Sequence, residues 1–408
     1  MKLEPHAFRH EHGRLLGALV RRLGARHFDL AEEAASEAFA RAARAWPLDG
    51  VPERPQAWLF VVARNYAVDQ LRRAAWLQER LPELVQPPPV DGGDDRLELT
   101  FMCCHPALQR RDQVALTLKA VAGLGTPQLA AAFLVPEATL AQRLVRAKRR
   151  LLEAGAEFEL PDAEALPARL GAVLDVLYLA YTAGHQLQDG GEQGVGATLA
   201  DEALRLGEGL LARPETARPQ VHALLAVILL GSARFPARVG GGAFVPLAEQ
   251  DRGLWDRERI AAGLGHLELA GRGDDLSTFH LLAGIEACHT LAPSFAATDW
   301  PRIVSLYDDL LQLAPSPVVR LNRALARHAG GEEPAAVLAE VEPLREALAD
   351  YAPLHAALAE LHAAVGDAGA ARQAWETALA HAGSEPERES YRARVRALDP
   401  EATPLPPA

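Results

Sequence analysis

Apolar residues recur at helical spacing along almost the whole chain, and alternating strand patterns are essentially absent. Side chains line up about every 3.6 residues on a helix but every second residue on a strand, so this periodicity predicts an all-α protein. At 408 residues with 49% apolar content, the chain is too long for one hydrophobic core and apolar enough to fold throughout. We therefore expect several helical domains along the sequence.

One segment divides the front of the chain. The run QPPPVDGGDD at 86–95 combines a stiff polyproline stretch with glycines and acidic residues, which is typical of an interdomain linker. We expect a first domain at 1–80, the linker at 81–95, a second domain at 96–156 and a helical-repeat region at 160–400.

The net charge of −12 is unevenly distributed. Residues 1–78 contain 12 basic and 9 acidic side chains, and residues 96–155 contain 9 and 4. Residues 156–408 contain 20 basic and 36 acidic side chains, so the acidity belongs to the C-terminal part. This asymmetry indicates a front half that binds a polyanion.

Two helices of the first domain carry polar faces. The helix expected at 29–46 begins with Asp29 as its N-cap and has a stripe of small residues facing inward. Outside that stripe lie Glu32, Glu33, Glu37 and Arg41. An ordinary solvated helix face would look the same.

The helix expected at 55–79 has a partly basic face with an aromatic residue. Its candidate residues are Trp58, Arg64, Asn65, Asp69, Arg72 and Arg73. Such a face can hold backbone phosphates and stack unpaired bases. Surface arginines on a core helix are an alternative that these residues alone leave open.

The second domain has the order of a helix-turn-helix. A glycine-containing turn at 123–126 separates two helices, and a tight turn leads to a last helix expected at 136–154. That helix should bury Leu140, Leu144, Ala147 and Leu151. Its candidate DNA-contacting residues are Glu137, Thr139, Gln142, Arg143, Arg146, Lys148 and Arg149. Polar residues at the N-terminal end can reach base edges in the major groove, while the later cations can pair with phosphates.

Enzyme chemistry has no support in the sequence. Phosphate-binding glycine loops and convincing nucleophile–base pairs are absent, and Cys103-Cys104-His105 and Cys288-His289 lack the spacing of a zinc site. We expect buried cysteines, no cofactor and no enzymatic activity. With no apolar segment of membrane-spanning length and no signal peptide, the expected location is the cytoplasm.

The C-terminal region contains one recognisable sequence repeat. Leu358 and Ala359 precede a Gly366-Asp367 turn, and Ala371 and Trp375 follow it at the small/large spacing of a tetratricopeptide unit. Such helix pairs must stack on neighbours, which creates a groove that can bind a peptide or another domain. A purely structural array explains the repeat equally well.

Taken together, several long stretches resemble the extracytoplasmic-function (ECF) sigma factors, in the subgroup with a large tetratricopeptide-like C-terminal extension. FDLAEEAASEAFARAARAWPLDGVPERPQAWLFVVARNYAVDQLRR resembles sigma region 2, and TLKAVAGLGTPQLAAAFLVPEATLAQRLVRAKRRL lies in a stretch that resembles region 4. QDRGLWDRERI, TDWPRIVSLYDDLL and SPVVRLNRALA are similar to motifs of the extension.

The resemblance implies roles and partners. It implies core RNA polymerase as a partner, through the β′ clamp and the β flap, and promoter DNA as the second partner. The helix with Glu32, Glu33, Glu37 and Arg41 would dock on the clamp, and the loop 47–55 with the following helix would capture the melted minus-10 element. The last helix of the second domain would read the minus-35 element as duplex.

The extension departs from its subgroup at two places. Thr182-Ala183-Gly184-His185 stands where the subgroup usually has Asn-Glu-Gly-Tyr, and the motif before Cys288 is altered to STFHLLAGIEACH. Because the subgroup typically lacks an obvious anti-sigma factor, the resemblance implies regulation through the extension, with a regulatory protein or peptide as a further candidate partner. A stand-alone helix-turn-helix regulator with a sensing domain is the alternative reading of the whole chain.

Overall fold

The all-α prediction is confirmed by a computed structural model, which describes residues 5–73, 95–133, 135–186, 195–273 and 275–398. Two compact units are present, Met1–Ala180 and Tyr181–Ala408. The helices of the first unit are α1 (Pro5–Leu23), α2 (Phe28–Asp49), α3 (Pro55–Arg73), α4 (Arg96–Cys103), α5 (Arg110–Ala120), α6 (Thr126–Ala132), α7 (Glu137–Glu153) and the start of α8 (Leu166–Gln186). Those of the second are α9 (Val195–Leu211), α10 (Pro219–Ser232), α11 (Arg257–Ala270), α12 (Thr278–Leu291), α13 (Trp300–Leu313), α14 (Pro317–Ala329), α15 (Pro334–Val341), α16 (Ala352–Ala364), α17 (Ala368–His381) and α18 (Glu385–Ala397).

Helices α1, α2 and α3 pack around a stripe of alanines on α2. Ala34, Ala38 and Ala42 have no exposed surface, and their small side chains allow the neighbouring helices to approach closely. Trp46 closes the end of this core, with its ring 5.4 Å from that of Trp58 in an edge-to-face contact.

The ends of α2 differ from the sequence-based expectation. The helix begins at Phe28 with His27 as N-cap, so Asp29 lies in the first turn and does not cap it. At the other end α2 continues past Trp46 and through Pro47 to Asp49. Pro47 has no N–H to donate within the helix, and only Leu48 and Asp49 follow it before the helix ends. The left-handed Gly50, with φ of 85°, then ends the helix.

Helices α5, α6 and α7 form the expected helix-turn-helix. The left-handed Gly123, with φ of 69°, ends the α5 segment, and the Leu124 N–H bonds back to the Leu118 carbonyl at 3.1 Å. Leu124 is itself buried, so the turn is anchored in the hydrophobic core. This turn fixes the direction in which α6 and α7 leave α5.

The start of α8 packs on the same unit. The guanidinium of Arg169 donates to the carbonyl of Phe101 at 2.7 Å, and that of Arg110 donates to Ala172 O and to Asp175, both at 2.8 Å. Leu170 and Leu174 on α8 are almost completely buried. The chain up to Ala180 therefore belongs structurally with the helix-turn-helix.

The second unit is built largely of helical hairpins. The hairpin predicted around Gly366 forms between α16 and α17: Gly366 has φ of 86°, and Asp367 accepts the Ala370 N–H at 2.9 Å as N-cap of α17. Leu358 and Trp375 lie in the core cluster that joins the two helices. Burial of both facing surfaces is what holds such a pair together.

A small β-hairpin interrupts the helices of this unit. Strands β1 (Val239–Gly240) and β2 (Ala243–Phe244) pair antiparallel across Gly241 and Gly242, whose φ values are 57° and 83°. Two positive φ values in a two-residue loop are the signature of a type I′ turn. Strands of two residues are too short to show a two-residue period, which is why the sequence pattern did not reveal them.

Helix α10 is the apolar centre of the second unit. One stretch of the described chain, Pro219–Ala237, has the length and hydropathy of a membrane span, and 78% of its apolar window is buried inside the protein. A helix that is apolar on all sides is typical of a core position. This burial agrees with the expectation that no segment of the chain spans a membrane.

Residues of the three extension motifs noted in the sequence cap helices and form hydrogen bonds in the second unit. In QDRGLWDRERI, Asp256 caps α11, while Arg252 stacks 4.3 Å from the ring of Trp255 and donates to the carbonyls of His289 and Ala292, both at 2.8 Å. In the other two motifs Asp299 caps α13 and Ser316 caps α14. These residues satisfy backbone groups at helix ends that would otherwise lack partners.

Candidate functional site

Helix α7 presents a polar stripe opposite a buried apolar face. Its buried residues are Leu140, Leu144, Ala147 and Leu151, the four expected from the sequence. Thr139, Gln142, Arg146 and Arg149 are exposed and follow each other at three- and four-residue spacing, so they lie along one line of the helix. Glu137 is exposed at the N-terminal end of this helix.

Two of the candidate residues on α7 point elsewhere. Arg143 is only 18% exposed, with its Nε 3.9 Å from a carboxylate oxygen of Asp112 on α5. Lys148 is 15% exposed, and its Nζ lies 2.5 Å from Asp29 and 2.9 Å from Glu32, both on α2. Burial opposes the charge of Lys148, but the two carboxylates outweigh it and raise the pKa of the ammonium group.

Buried polar groups on α5 fix the position of α7. Asp112 is 5% exposed and accepts a hydrogen bond from Arg150 at 3.2 Å, in addition to its contact with Arg143. The neighbouring Gln113 donates to the carbonyls of Cys104 and His105 at 3.2 and 2.9 Å, which fastens the turn between α4 and α5. Paired in this way, the buried polar groups hold the helix-turn-helix in one arrangement.

Helix α3 carries the second candidate surface. Asn65, Asp69 and Arg72 are exposed, and Trp58 lies two turns before Asn65 on the same side of the helix, partly buried. The Arg64 guanidinium bonds to the amide oxygen of Asn65 at 2.9 Å. Arg73 is the last residue of α3, and its side chain lies outside the described residues, as does the expected linker up to residue 94.

Sequence reasoning missed two apolar residues on this side of the first unit. Leu48, in the last turn of α2 and within the loop that was expected at 47–55, is 85% exposed, and Val61 on α3 is 39% exposed. Single exposed apolar side chains are common on protein surfaces, so exposure alone assigns no partner to Leu48. Its position just after Pro47, beyond the last buried residue of α2, is the signal in the sequence that would have identified it.

Helix α2 carries the third candidate surface. Glu33 accepts a hydrogen bond from the Tyr66 hydroxyl at 2.5 Å, and Glu37 accepts one from Arg41 at 2.7 Å. The hydrogen bond from Arg41 lowers the pKa of Glu37, so this carboxylate stays charged. The fourth residue of the set, Glu32, is 16% exposed and faces Lys148 and Lys119.

The cysteines of the second domain are core residues. Cys103 and Cys104 have no exposed surface, and burial raises the pKa of the Cys104 thiol to about 11, so it stays protonated at neutral pH. Within the described part of the chain, no three His, Cys, Asp or Glu side chains come together as a group that could hold a metal ion.

Comparison with known families identifies the two front domains. Residues 8–77 match sigma-70 region 2, and residues 98–151 match sigma-70 region 4. The chain belongs to the sigma-70 family. A sigma factor directs promoter recognition by core RNA polymerase. The family indicates a transcription factor and not an enzyme.

Other comparisons concern the rest of this sigma factor. Residues 169–271 match a family of unknown function, DUF6596, which covers α8 to α11 and the β-hairpin. The sigma factor is 42% identical over 381 residues to an uncharacterized protein of Rhizobium meliloti (strain 1021), which covers 90% of this chain and 88% of the relative. No solved structure matches it.

Proposed function

We propose that the protein is an ECF-type sigma factor whose α7 reads the minus-35 element as duplex DNA. The observation that carries this proposal is the line of Thr139, Gln142, Arg146 and Arg149 along the open side of a helix whose opposite side is wholly buried. A recognition helix needs short polar side chains near its N-terminus for base edges and cations further along for phosphates. Helix α7 has both in that order.

Helix α3 and the segment before it are proposed to capture the melted minus-10 element. Trp58 offers an aromatic face on which a base can stack, Leu48 and Val61 offer apolar contact, and Arg72 offers a cation for the single-stranded backbone. Unstacking a base costs a few kcal/mol, roughly, and such contacts partly offset that cost. The aromatic and apolar groups lie on the same domain as the cation, as this task requires.

Helix α2 is proposed to dock on the polymerase β′ clamp through Glu32, Glu33, Glu37 and Arg41, with region 4 contacting the β flap. The pairs Glu33–Tyr66 and Glu37–Arg41 hold two of these carboxylates in fixed positions. Preorganised charges favour a specific docking geometry because less side-chain freedom is lost on binding.

Replacing Arg72 by alanine tests the minus-10 assignment. Loss of one phosphate contact should weaken promoter melting a few-fold on every promoter sequence and lower its salt dependence by about one unit of slope. Permanganate footprinting of the melted strand by the reconstituted holoenzyme measures this effect. The matched control is Arg302→Ala, an exposed arginine on α13 of the second unit, which should leave melting unchanged. Equal melting by both variants would remove Arg72 from the proposed surface.

The C-terminal helical region is proposed to regulate the sigma factor in the cytoplasm, with a regulatory protein or peptide bound at tetratricopeptide-like repeats. Truncation after Gln186, at the end of α8, removes this region. It keeps the buried Leu170 and Leu174 of α8, whereas truncation near residue 155 would remove the whole helix. We expect the truncated protein to bind core polymerase but to give less run-off transcript than the full chain. A transcript yield equal to that of the full chain would show that the region is dispensable.

A further inference from the structure

Two sequence motifs of the C-terminal region meet at one cluster of charged side chains in the second unit. Arg252 belongs to QDRGLWDRERI and begins a short 3-10 turn, Arg252–Leu254. Glu286 and His289 belong to STFHLLAGIEACH, and because they are three residues apart they lie on the same side of α12. Arg234 follows the C-terminal end of α10 and donates to Glu286 at 2.7 Å. The sigma-factor function proposed above gives these side chains no role.

Three buried nitrogen atoms of this cluster have no hydrogen-bond partner among the residues that the structure describes. They are Nε of Arg234, Nη2 of Arg252 and Nδ1 of His289. Arg234 as a whole is only 9% exposed. Nearly all buried polar groups in folded proteins are hydrogen-bonded, because leaving a buried donor unsatisfied destabilises the fold. Three such nitrogens on neighbouring side chains therefore indicate a site that binds a hydrogen-bond acceptor.

The charges around these nitrogens favour an anion as that acceptor. Burial, followed by the charge of Arg234, lowers the pKa of Arg252. Burial and then the charges of Arg234 and Arg252 lower the pKa of His289 to about 3, so its imidazole is neutral at pH 7. Burial and Arg234 also lower the pKa of Arg238, just before β1, to about 10, although nearby acidic groups oppose this shift. Positive charge is disfavoured at each position, so a nearby anion would stabilise all of them.

Contacts on the other sides of the cluster hold its side chains in place. Nη1 of Arg252 donates to the carbonyls of His289 and Ala292, both at 2.8 Å. The Arg252 guanidinium also stacks 4.3 Å from the ring of Trp255, and the imidazole of His289 packs 5.4 Å from the ring of Trp300. Groups fixed in this way bind a ligand with little loss of side-chain freedom. Arg252 and His289 are partly exposed, so a small solute can reach them from the solvent.

We propose that Arg234, Arg252 and His289 form a binding site for a small oxyanion, a phosphate or a carboxylate group. The N–H groups of a guanidinium are spaced to match the oxygens of both. Because the three nitrogens are buried, a free small molecule fits them and duplex DNA does not. The site lies outside the two sigma regions and its assignment does not depend on the sigma-factor function. It gives the C-terminal region a class of ligand.

Calorimetric titration of the full-length protein, without polymerase or DNA, tests the proposal. Inorganic phosphate and succinate serve as the two probes, each at constant ionic strength. At least one of them should bind saturably, and the tighter of the two shows whether the site prefers a phosphate or a carboxylate. Absence of saturable binding by both probes would overturn the proposal.

Two variants should change this binding in opposite directions. Arg252→Gln removes one cation of the site and should weaken binding of the preferred probe by about tenfold or more. Glu286→Gln removes the carboxylate that competes for Arg234, while its amide oxygen can still accept the hydrogen bond. This variant should bind the probe about threefold to tenfold more tightly than the wild type. Damage to the fold would not produce a gain in affinity, so the second variant remains informative even if the first is unstable.

The matched control is Arg218→Gln, which removes an exposed arginine just before α10, at the opposite end of that helix from Arg234. Its affinity for the probe should equal that of the wild type. Equal affinity of the wild type, Arg252→Gln and Glu286→Gln would place the bound anion elsewhere, for example on the basic surfaces of regions 2 and 4, and would overturn the proposal.

Thermal unfolding provides a second measurement. At about ten times its dissociation constant, the preferred probe should raise the melting temperature of the wild type by roughly 3 to 5 °C more than that of Arg252→Gln. The comparison between variants is needed because phosphate also stabilises proteins through exclusion from their surfaces. Equal shifts in both proteins would contradict specific binding at Arg252. These measurements involve no promoter, so their failure leaves the sigma-factor function in place, and loss of that function leaves the anion site in place.

Discussion

Arg146→Glu should reduce transcription from a minus-35-dependent promoter by between about tenfold and a hundredfold. Arg146 is exposed at the middle of the polar stripe on α7, so the variant loses a contact to DNA and places a negative charge against the phosphates. A specific side-chain contact to a base contributes about 1 to 3 kcal/mol of discrimination, and repulsion adds to its loss. Leu144 and Ala147 on the buried side are untouched, so the helix should remain folded.

The measurement compares run-off transcript and electrophoretic promoter binding by holoenzymes assembled with each variant. Arg302→Glu is the matched control because it makes the same charge change at an exposed position of the second unit. Affinity of Arg146→Glu for core polymerase alone should equal that of the wild type. Normal transcription by Arg146→Glu would exclude α7 as the reading helix in the orientation proposed.

Acidification from about pH 6.5 to about pH 4 should lower the free energy of unfolding of the first unit, because His12 is buried in its neutral form. Burial between regions 2 and 4, and secondly the nearby charge of Lys119, lower the pKa of His12 to about 4; Glu32 faces it as well and opposes this shift. The unfolded chain takes up a proton near pH 6.5 and the folded protein does not, so stability falls as the pH falls through this window. The full contribution is at most about 3.5 kcal/mol, at about 1.4 kcal/mol per pKa unit.

His12→Gln removes this titration and keeps a polar side chain at the position. The difference in melting temperature between wild type and variant, measured at pH 8 and at pH 5, isolates the contribution of His12 from that of other buried histidines such as His289. We expect the wild type to lose more melting temperature than the variant on acidification. Parallel losses would show that the imidazole does not titrate in this range.

The residues that follow local periodicity could be predicted from the sequence. The four buried residues of α7 and the hairpin around Gly366 were predicted, because a helical period decides which side faces a core. The family resemblance added the two sigma regions, and comparison with region 2 and region 4 supports them. The roles of the individual candidate residues are predictions that await the variants described above.

Contacts between distant parts of the chain could not be predicted. Periodicity placed Lys148 among the cations of α7, but its partners, Asp29 and Glu32, lie more than a hundred residues earlier. Asp29 was expected to cap α2 but lies in its first turn, where its carboxylate contacts Lys148. Likewise, Arg143 faces Asp112 because the turn at Gly123 sets the angle between α5 and α7, which no local pattern specifies.

Run-off transcription with core RNA polymerase tests the central assignment most directly. Purified full-length protein is added to core polymerase with template carrying the promoter upstream of its own operon, and protein binding to core is measured in parallel. The account predicts a transcript that depends on the protein and a stable complex with core polymerase. Absence of both the transcript and the complex would contradict it.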